Sequence, residues 1–309
     1  MKTDIQHFLL AALVFVILVA ATDFSIGVVA DCAMSKMPDF SGELAKDNYR
    51  LHRLQADVVI IGSSRGNHHY VTQQLNDSLD HYFGQHVTVY NAAIDGKFAN
   101  SNSCAAECLV SRYRPKLVIY DIVESQLREH RVTDIEFSAP FYWSDSIVHR
   151  YLDDIGPRER LSMHSSLLRY NGKLLRIALS FLRPLPSDDG YLPLYGSATN
   201  TLQPVAVTNS LPLDDYTLTH FRQVLQRYRA TGVPLVVVSS PRFRSTDNNR
   251  ELQQLCRAAH TPYIEICDDS YFNSHPELFK DPDHLNHSGA QHFTAQLFGQ
   301  LKSHLPPAK

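Results

Sequence analysis

Five short runs of apolar, mostly β-branched residues recur along the chain: 57–61 (DVVII), 86–90 (HVTVY), 116–120 (KLVIY), 234–238 (PLVVV) and 262–266 (PYIEI). Near-continuous runs of this length suit strands buried on both faces of a parallel sheet. Stretches with helical spacing lie between them, at about 67–82, 100–113, 216–231, 247–259 and 287–303. The alternation predicts an α/β domain of three layers. Its parallel sheet has about five strands, flanked by helices and wound by right-handed crossovers. In such sheets sites form beyond the carboxyl ends of the strands, so the chemistry is sought there.

One stretch breaks the rhythm. About 90 residues, 126–215, separate the third and fourth strands. Residues 158–182 have an amphipathic pattern fit for one or two helices, and 183–213 are rich in Pro, Ser and Asn, punctuated by Tyr191 and Tyr195. An insertion this long serves as a lid, a substrate wall or a small subdomain, or simply covers a sheet edge.

The N-terminus is different again. Phe8 to Ala21 carries no polar residue over 14 positions, short of the ~20 that span a bilayer. Continuing to Ala30 gives 23, long enough if Asp23 lies near an interface. Segment 1–30 is expected to be a membrane anchor. The alternatives are a cleaved signal, since Val19-Ala20-Ala21 and Val28-Val29-Ala30 both end like cleavage sites, and a buried core helix. Asp31 before Cys32 does not suit a lipoprotein site. Anchor and signal both put the remainder outside the cytoplasm, in the periplasm or cell envelope. Residues 31–55 read as a polar, membrane-proximal lead-in, and 56–305 as the folded domain.

Composition removes several function classes. With 44% hydrophobic and 20% charged residues the chain is an ordinary globular one. A net charge of −3 leaves no basic surplus to neutralise a phosphate backbone, so nucleic acid is excluded as a partner. Neither GxxxxGK[ST] nor GxGxxG occurs. Five cysteines include no CxxC pair. Cys104 and Cys108 share a helix face but lack further ligands, and are expected to be buried thiols or an incidental disulfide. His68-His69 is the densest histidine cluster, but neighbours on a helix point about 100° apart, which disfavours joint chelation. No metal or organic cofactor is implied.

Two pieces carry chemistry. Gly62-Ser63-Ser64-Arg65-Gly66 follows the first strand and opens a helix, which puts a hydroxyl at the sheet's carboxyl edge beside backbone N–H groups. Either serine could also be a plain helix cap. Near the C-terminus, Asp281-Pro282-Asp283-His284 offers a general base and an acid to orient it, with Asp281 at the better spacing than Asp283. That turn, too, could merely cap the last helix through Asn286 or Ser288.

Together the pieces resemble the SGNH hydrolases, also called the GDSL family, over about 55–125 and 230–303. The resemblance implies Ser64 as nucleophile, with Ser63 in place of the family's Asp. It implies Asp281 and His284 as the rest of a triad, and Gly96, in Asn91-Ala92-Ala93-Ile94-Asp95-Gly96, as an oxyanion donor beside the Ser64 N–H. The GSSR opening is similar to membrane-anchored bacterial envelope members, some of which act in polysaccharide O-acetylation. The family's third block carries G-x-N-D. Here the third strand runs into Asp121-Ile122-Val123-Glu124-Ser125-Gln126, with no Asn. Gln126 or Asn102 is available as a substitute donor, the alternative being a hole that rests on backbone N–H groups. Glu124 is expected to point away from the reacting centre, paired with Arg65 or Arg242; the alternatives are a protonated Glu124 or one that faces substrate. The expected function is a serine-dependent ester hydrolase acting on an acylated glycan or other envelope ester. An O-acyltransferase modifying a surface polysaccharide and a non-catalytic envelope protein with the same fold are the alternatives.

Overall fold

The computed structural model describes residues 2–38, 42–182, 189–198, 202–205, 211–245, 249–267 and 269–305. Its centre is a five-stranded, wholly parallel sheet in the order β2-β1-β3-β4-β5. The strands are β1 (Val58–Ile61), β2 (Val89–Asn91), β3 (Leu117–Asp121), β4 (Leu235–Ser239) and β5 (Tyr263–Glu265). Each coincides with one of the five apolar runs, β2, β3 and β4 ending one residue beyond it. Successive side chains point to opposite faces. Val59, Ile61, Val118, Tyr120 and Val237 pack on one side against α5 (Ala99–Arg112), α11 (Asp215–Thr231) and α12 (Arg250–Ala258). Val58, Ile60, Ile119, Val236 and Val238 pack on the other side against α4 (Thr72–Phe83) and α14 (His287–Leu301). Both faces are therefore covered, which gives the three-layer α/β architecture expected. Full burial of each such aliphatic side chain is worth roughly 1.5–3 kcal/mol.

Strand order reverses at β1, with β2 on one side of it and β3 on the other. Chain crossovers leave a crevice at that reversal, beyond the strands' carboxyl ends. The Gly62-Ser63-Ser64 turn emerges there.

The helices depart from expectation in three places. The helix expected at 67–82 is two: α3 (Ser64–His69) and α4, broken at Tyr70-Val71. Tertiary bonds fix the break, since the Val71 N–H donates to Thr294 Oγ1 and the buried Tyr70 hydroxyl donates to Asp121. The lead-in contains α2 (Glu43–His52), packed on α5 rather than trailing in solvent. Lys46, Asp47 and Arg50 mislead because they are buried and paired. Arg50 is held by Asp47, Ser101 and Asn102. Within the insertion, the amphipathic stretch 158–182, expected as one or two helices, holds three short ones, α8 (Pro157–Ser162), α9 (Ser166–Arg169) and α10 (Leu174–Ser180), and α6 (Thr133–Glu136) and α7 (Ser146–Ile155) precede it. Gly156-Pro157 separates α7 from α8, and Ser165 caps α9 through its hydroxyl. Of 183–213, the segments 183–188, 199–201 and 206–210 lie outside the described residues. After β5 come α13 (Ser270–Ser274) and a hairpin of β6 (Phe279–Asp281) and β7 (His284–Leu285). The N-terminal segment is one helix, α1 (Lys2–Ser35), long and apolar enough to cross a membrane. Cys104, Cys108, Cys256 and Cys267 are buried free thiols.

Candidate active site

Ser64 is the first residue of α3, directly beyond β1. Gly62 and Gly66 let α3 sit low on the sheet. A Cβ on Gly66 would lie 2.8 Å from that of Ala93, and one on Gly62 would lie 3.0 Å from that of Asp121.

The β6–β7 hairpin brings the second piece to the same place. Phe279 and Leu285 are fully buried and anchor its two strands. Gly289 lets α14 approach its base, because a Cβ there would fall 2.2 Å from the Leu278 carbonyl oxygen. Asp281 Oδ1 accepts from the backbone N–H groups of Asp283 and His284, so the carboxylate organises the turn that holds it.

The geometry is a relay. His284 Nδ1 lies 2.9 and 3.0 Å from the Asp281 carboxylate oxygens. An ionised carboxylate can only accept, so Nδ1 carries the proton and Nε2 is left with its lone pair. That Nε2 is 2.7 Å from Ser64 Oγ. Partial burial works against the charge on Asp281. Hydrogen bonding and attraction from His284, together with the two backbone N–H groups, outweigh it and hold the carboxyl below its ordinary range. The His284 side chain keeps 23% of its surface exposed, so the reacting edge opens to solvent. Asp283 turns away and grips Arg242 at 2.6 and 2.8 Å. Ser63 is buried and accepts from Gln126 Nε2 at 3.3 Å.

Other expected residues are distributed differently. Gly96 occupies an exposed left-handed turn (φ 69°) on the wall of a cavity of about 390 Å³, whose lining includes Asp95, Lys97 and Arg131 but neither Ser64 nor His284. Its block reaches α3 through two neighbours instead. Asn91 Nδ2 donates to the Gly66 carbonyl, and Asp95 accepts from Asn67 Nδ2. Asn102 is committed to Arg50 and the Lys97 carbonyl. Of the two candidate substitutes for the missing Asn, only Gln126 therefore bonds beside Ser64. Glu124 points away, as expected, but its partner is Arg128, at 2.6 Å, and not Arg65 or Arg242. Its other oxygen accepts from the Glu251 and Leu252 N–H groups at the start of α12. Arg65 faces Asp121 at 3.8 Å. Burial pushes the Asp121 carboxyl above its ordinary range, against the pull of Arg65 and Tyr70.

Glu124→Gln accordingly separates structure from chemistry. It should lower stability by about 2–4 kcal/mol, since Arg128 loses its buried counter-charge. Activity per folded molecule should stay within about threefold, because an uncharged group so placed meets no reacting atom. Denaturant melts beside kcat/KM check both; a tenfold change in rate would put Glu124 at the reacting centre.

A set of polar residues to which the sequence assigned no role beside Ser64 surrounds the relay. His68 and His69 flank the His284 ring, with centroids 5.8 and 6.4 Å away. His69 Nε2 accepts from the Leu285 N–H, tying α3 to the hairpin, and burial keeps this imidazole neutral with its pKa well below the ordinary value. His68 lies between the Leu192 carbonyl (2.6 Å) and Asp95 (3.2 Å). Both partners are acceptors, so both ring nitrogens carry protons. Burial opposes that charge, but the bonds to Asp95 and Leu192 raise the His68 pKa. Lys46 donates to Asn67 Oδ1 and to the Gly190 carbonyl, linking α2 to α3 and to the insertion. The signal was present in a pair of histidines one turn beyond the candidate serine, but pairing rules for chelation do not reveal hydrogen-bonding roles.

Burial lowers the Lys46 pKa to about 7. The unfolded chain keeps this proton to about pH 10.4. Between those values the unfolded state binds more protons, so Lys46 makes stability rise with pH. Relative to Lys46→Met, the native chain should gain stability between about pH 7 and pH 10, at roughly 1.4 kcal/mol per pH unit. Urea melts of both proteins across that range check it; a constant difference would mean the buried amine does not titrate there.

No family model and no curated protein sequence matches the chain. Among solved structures, a protein from Bacteroides fragilis NCTC 9343, provisionally described as an acylhydrolase, matches at 11% identity with a TM-score of 0.34, covering 85% of this chain and 98% of the other.

Proposed function

We propose that this chain is a serine-dependent acyl-ester hydrolase of the SGNH type, with Ser64 as nucleophile, His284 as general base and acid, and Asp281 as the acid that orients it. The observation that carries this reading is the continuous relay from Asp281 through His284 to Ser64 Oγ, built from residues 220 positions apart in sequence. Ser64 Oγ attacks the ester carbonyl while His284 Nε2 takes its proton. The same nitrogen then protonates the departing alcohol. Water repeats the sequence on the acyl-enzyme, releasing free acid. Asp281 fixes the Nδ1–H tautomer and stabilises the imidazolium that forms. The Ser64 N–H at the start of α3 serves the oxyanion. Gln126, from its place beside Ser63, is a side-chain donor; a backbone-donor role for Gly96 rests on the family pattern alone, since its turn lines a cavity without Ser64 or His284.

The substrate class follows from the resemblance to envelope members and from α1: an acylated glycan or other envelope ester, met on the outer side of the membrane to which α1 anchors the domain. The same relay would equally pass an acyl group to a polysaccharide. Incubation of the full chain with an acetyl aryl ester, with and without glycan, separates the two. Free acetate in both incubations is the expected result. Acetylated glycan, with acetate release suppressed when glycan is absent, would make the protein an O-acyltransferase. Absence of turnover with every short acyl ester would leave a non-catalytic protein and refute the proposal.

A further inference from the structure

The fully apolar stretch Phe8–Ala21 would cover about 21 Å as helix, against about 30 Å of hydrocarbon. If α1 spans a bilayer, the missing length comes from the residues after Ala21, and the first charge met there is Asp23. That carboxylate is not bare. It accepts from Ser165 Oγ at 2.6 Å and from the Ser166 and Leu167 N–H groups at 3.0 and 2.8 Å, which are the opening of α9. Gly27 lies directly against Ser166, where a Cβ would fall 2.5 Å from its hydroxyl. The insertion therefore docks on α1 within the length the membrane needs. One groove of about 730 Å³ is lined jointly by Phe15, Val16 and Val19 of the apolar stretch and by Leu161 and Leu167 of the insertion.

The surface of this region is inverted for a protein in water. In α10 the buried positions are Ile177 and Ser180, while Leu174, Leu175 and Leu179 face outward. Leu161, Leu175 and Leu182 are 73, 69 and 74% exposed, and Leu168 and Phe181 are exposed beside them. Residues 157–182 expose Arg158, Arg160 and Arg176 and half-expose Lys173, against one acid, Glu159, while Arg169 is buried. Leucine-rich faces interleaved with basic residues, on short helices, are the composition of segments that lie in a membrane interface and favour anionic lipid. A contiguous exposed apolar patch of this kind marks a covered surface.

We propose that residues 161–182 lie in the interfacial layer of the bilayer that α1 crosses, with Leu161, Leu167, Leu174, Leu175 and Leu179 in the acyl boundary and Lys173 and Arg176 at the headgroups. The occupant of this surface is lipid. Its apolar face is continuous with that of α1 through this groove, toward the end of the apolar stretch where Val19, Ala20 and Asp23 line it. Three consequences join. The span reaches full length, Asp23 enters the membrane already hydrogen-bonded, and the domain is held against the surface rather than tethered above it.

The test uses the full chain in phosphatidylcholine–phosphatidylglycerol vesicles carrying bromine either near the headgroup or near the bilayer centre. In a Trp143→Phe background, Leu161→Trp, Leu175→Trp, Phe15→Trp and Tyr271→Trp are compared, each checked for a native thermal melt. The indole at position 15 should be quenched most by deep bromine, those at 161 and 175 by shallow bromine, and that at 271 by neither. Quenching at 15 with unquenched, water-like emission at 161 and 175 would overturn the proposal while leaving the anchor intact. Blue-shifted emission at 161 and 175 that ignores bromine would mean a second copy of the chain covers the face, which also overturns it. No quenching at 15 would refute the spanning reading of α1 on which the proposal rests, without touching the esterase reading.

Discussion

Ser64→Ala should remove ester turnover, by about 10⁴-fold or more, and should do so without measurable loss of stability. The side chain is partly exposed, and its hydroxyl lies 2.7 Å from His284 Nε2. Removing a nucleophile leaves only substrate binding and oxyanion donors, which by themselves account for a small residue of catalysis in serine relays. Ser63→Ala is the matched control. Ser63 is buried and bonds Gln126 rather than histidine. Its loss should cost at most about tenfold in rate, through a displaced Gln126, together with about 1 kcal/mol of stability. Initial rates with a short aryl ester decide between the two serines. Greater loss in Ser63→Ala would move the nucleophile by one residue and break the match to the relay.

Asp281→Asn should lower kcat by about 10⁴-fold while leaving the hairpin folded. The amide oxygen can still accept from the Asp283 and His284 N–H groups. Its NH₂ would instead donate to His284 Nδ1, drive the ring proton to Nε2, and turn the lone pair away from Ser64. Asp283→Asn supplies the contrast. It weakens a partly exposed ion pair with Arg242, worth about 1 kcal/mol or less, and should change the rate by less than about threefold. Equal losses in the two variants, at equal melting temperature, would show that the Asp281 bond does not set the tautomer.

How much of this was readable from the sequence depends on the range of the interaction. The five strands were legible because residues such as Val58–Ile61 are apolar on both faces, a pattern that only a two-sided sheet requires. Ser64, His284 and Asp281 were legible because each sits at a boundary between elements, where residue type and spacing are informative. What stayed hidden was decided by contacts distant in sequence. Lys46 and Arg50 look like the solvent face of a tether, yet they are buried against residues 21 to 144 positions away. The break at Tyr70-Val71 depends on Thr294 and Asp121, which no local propensity reports. Glu124 was expected to pair with an arginine, but the choice of Arg128, one helical turn on, follows from the cap it makes on α12.

The central claim is that the Ser64 hydroxyl is activated by His284. A fluorophosphonate probe on the folded full chain, digested and mapped by peptide mass, tests it most directly. The account predicts one adduct, on Ser64, that disappears in Ser64→Ala, is strongly slowed in Asp281→Asn, and persists in Ser63→Ala. An adduct on any other residue, or an unlabelled Ser64 in a chain that melts normally, would contradict it.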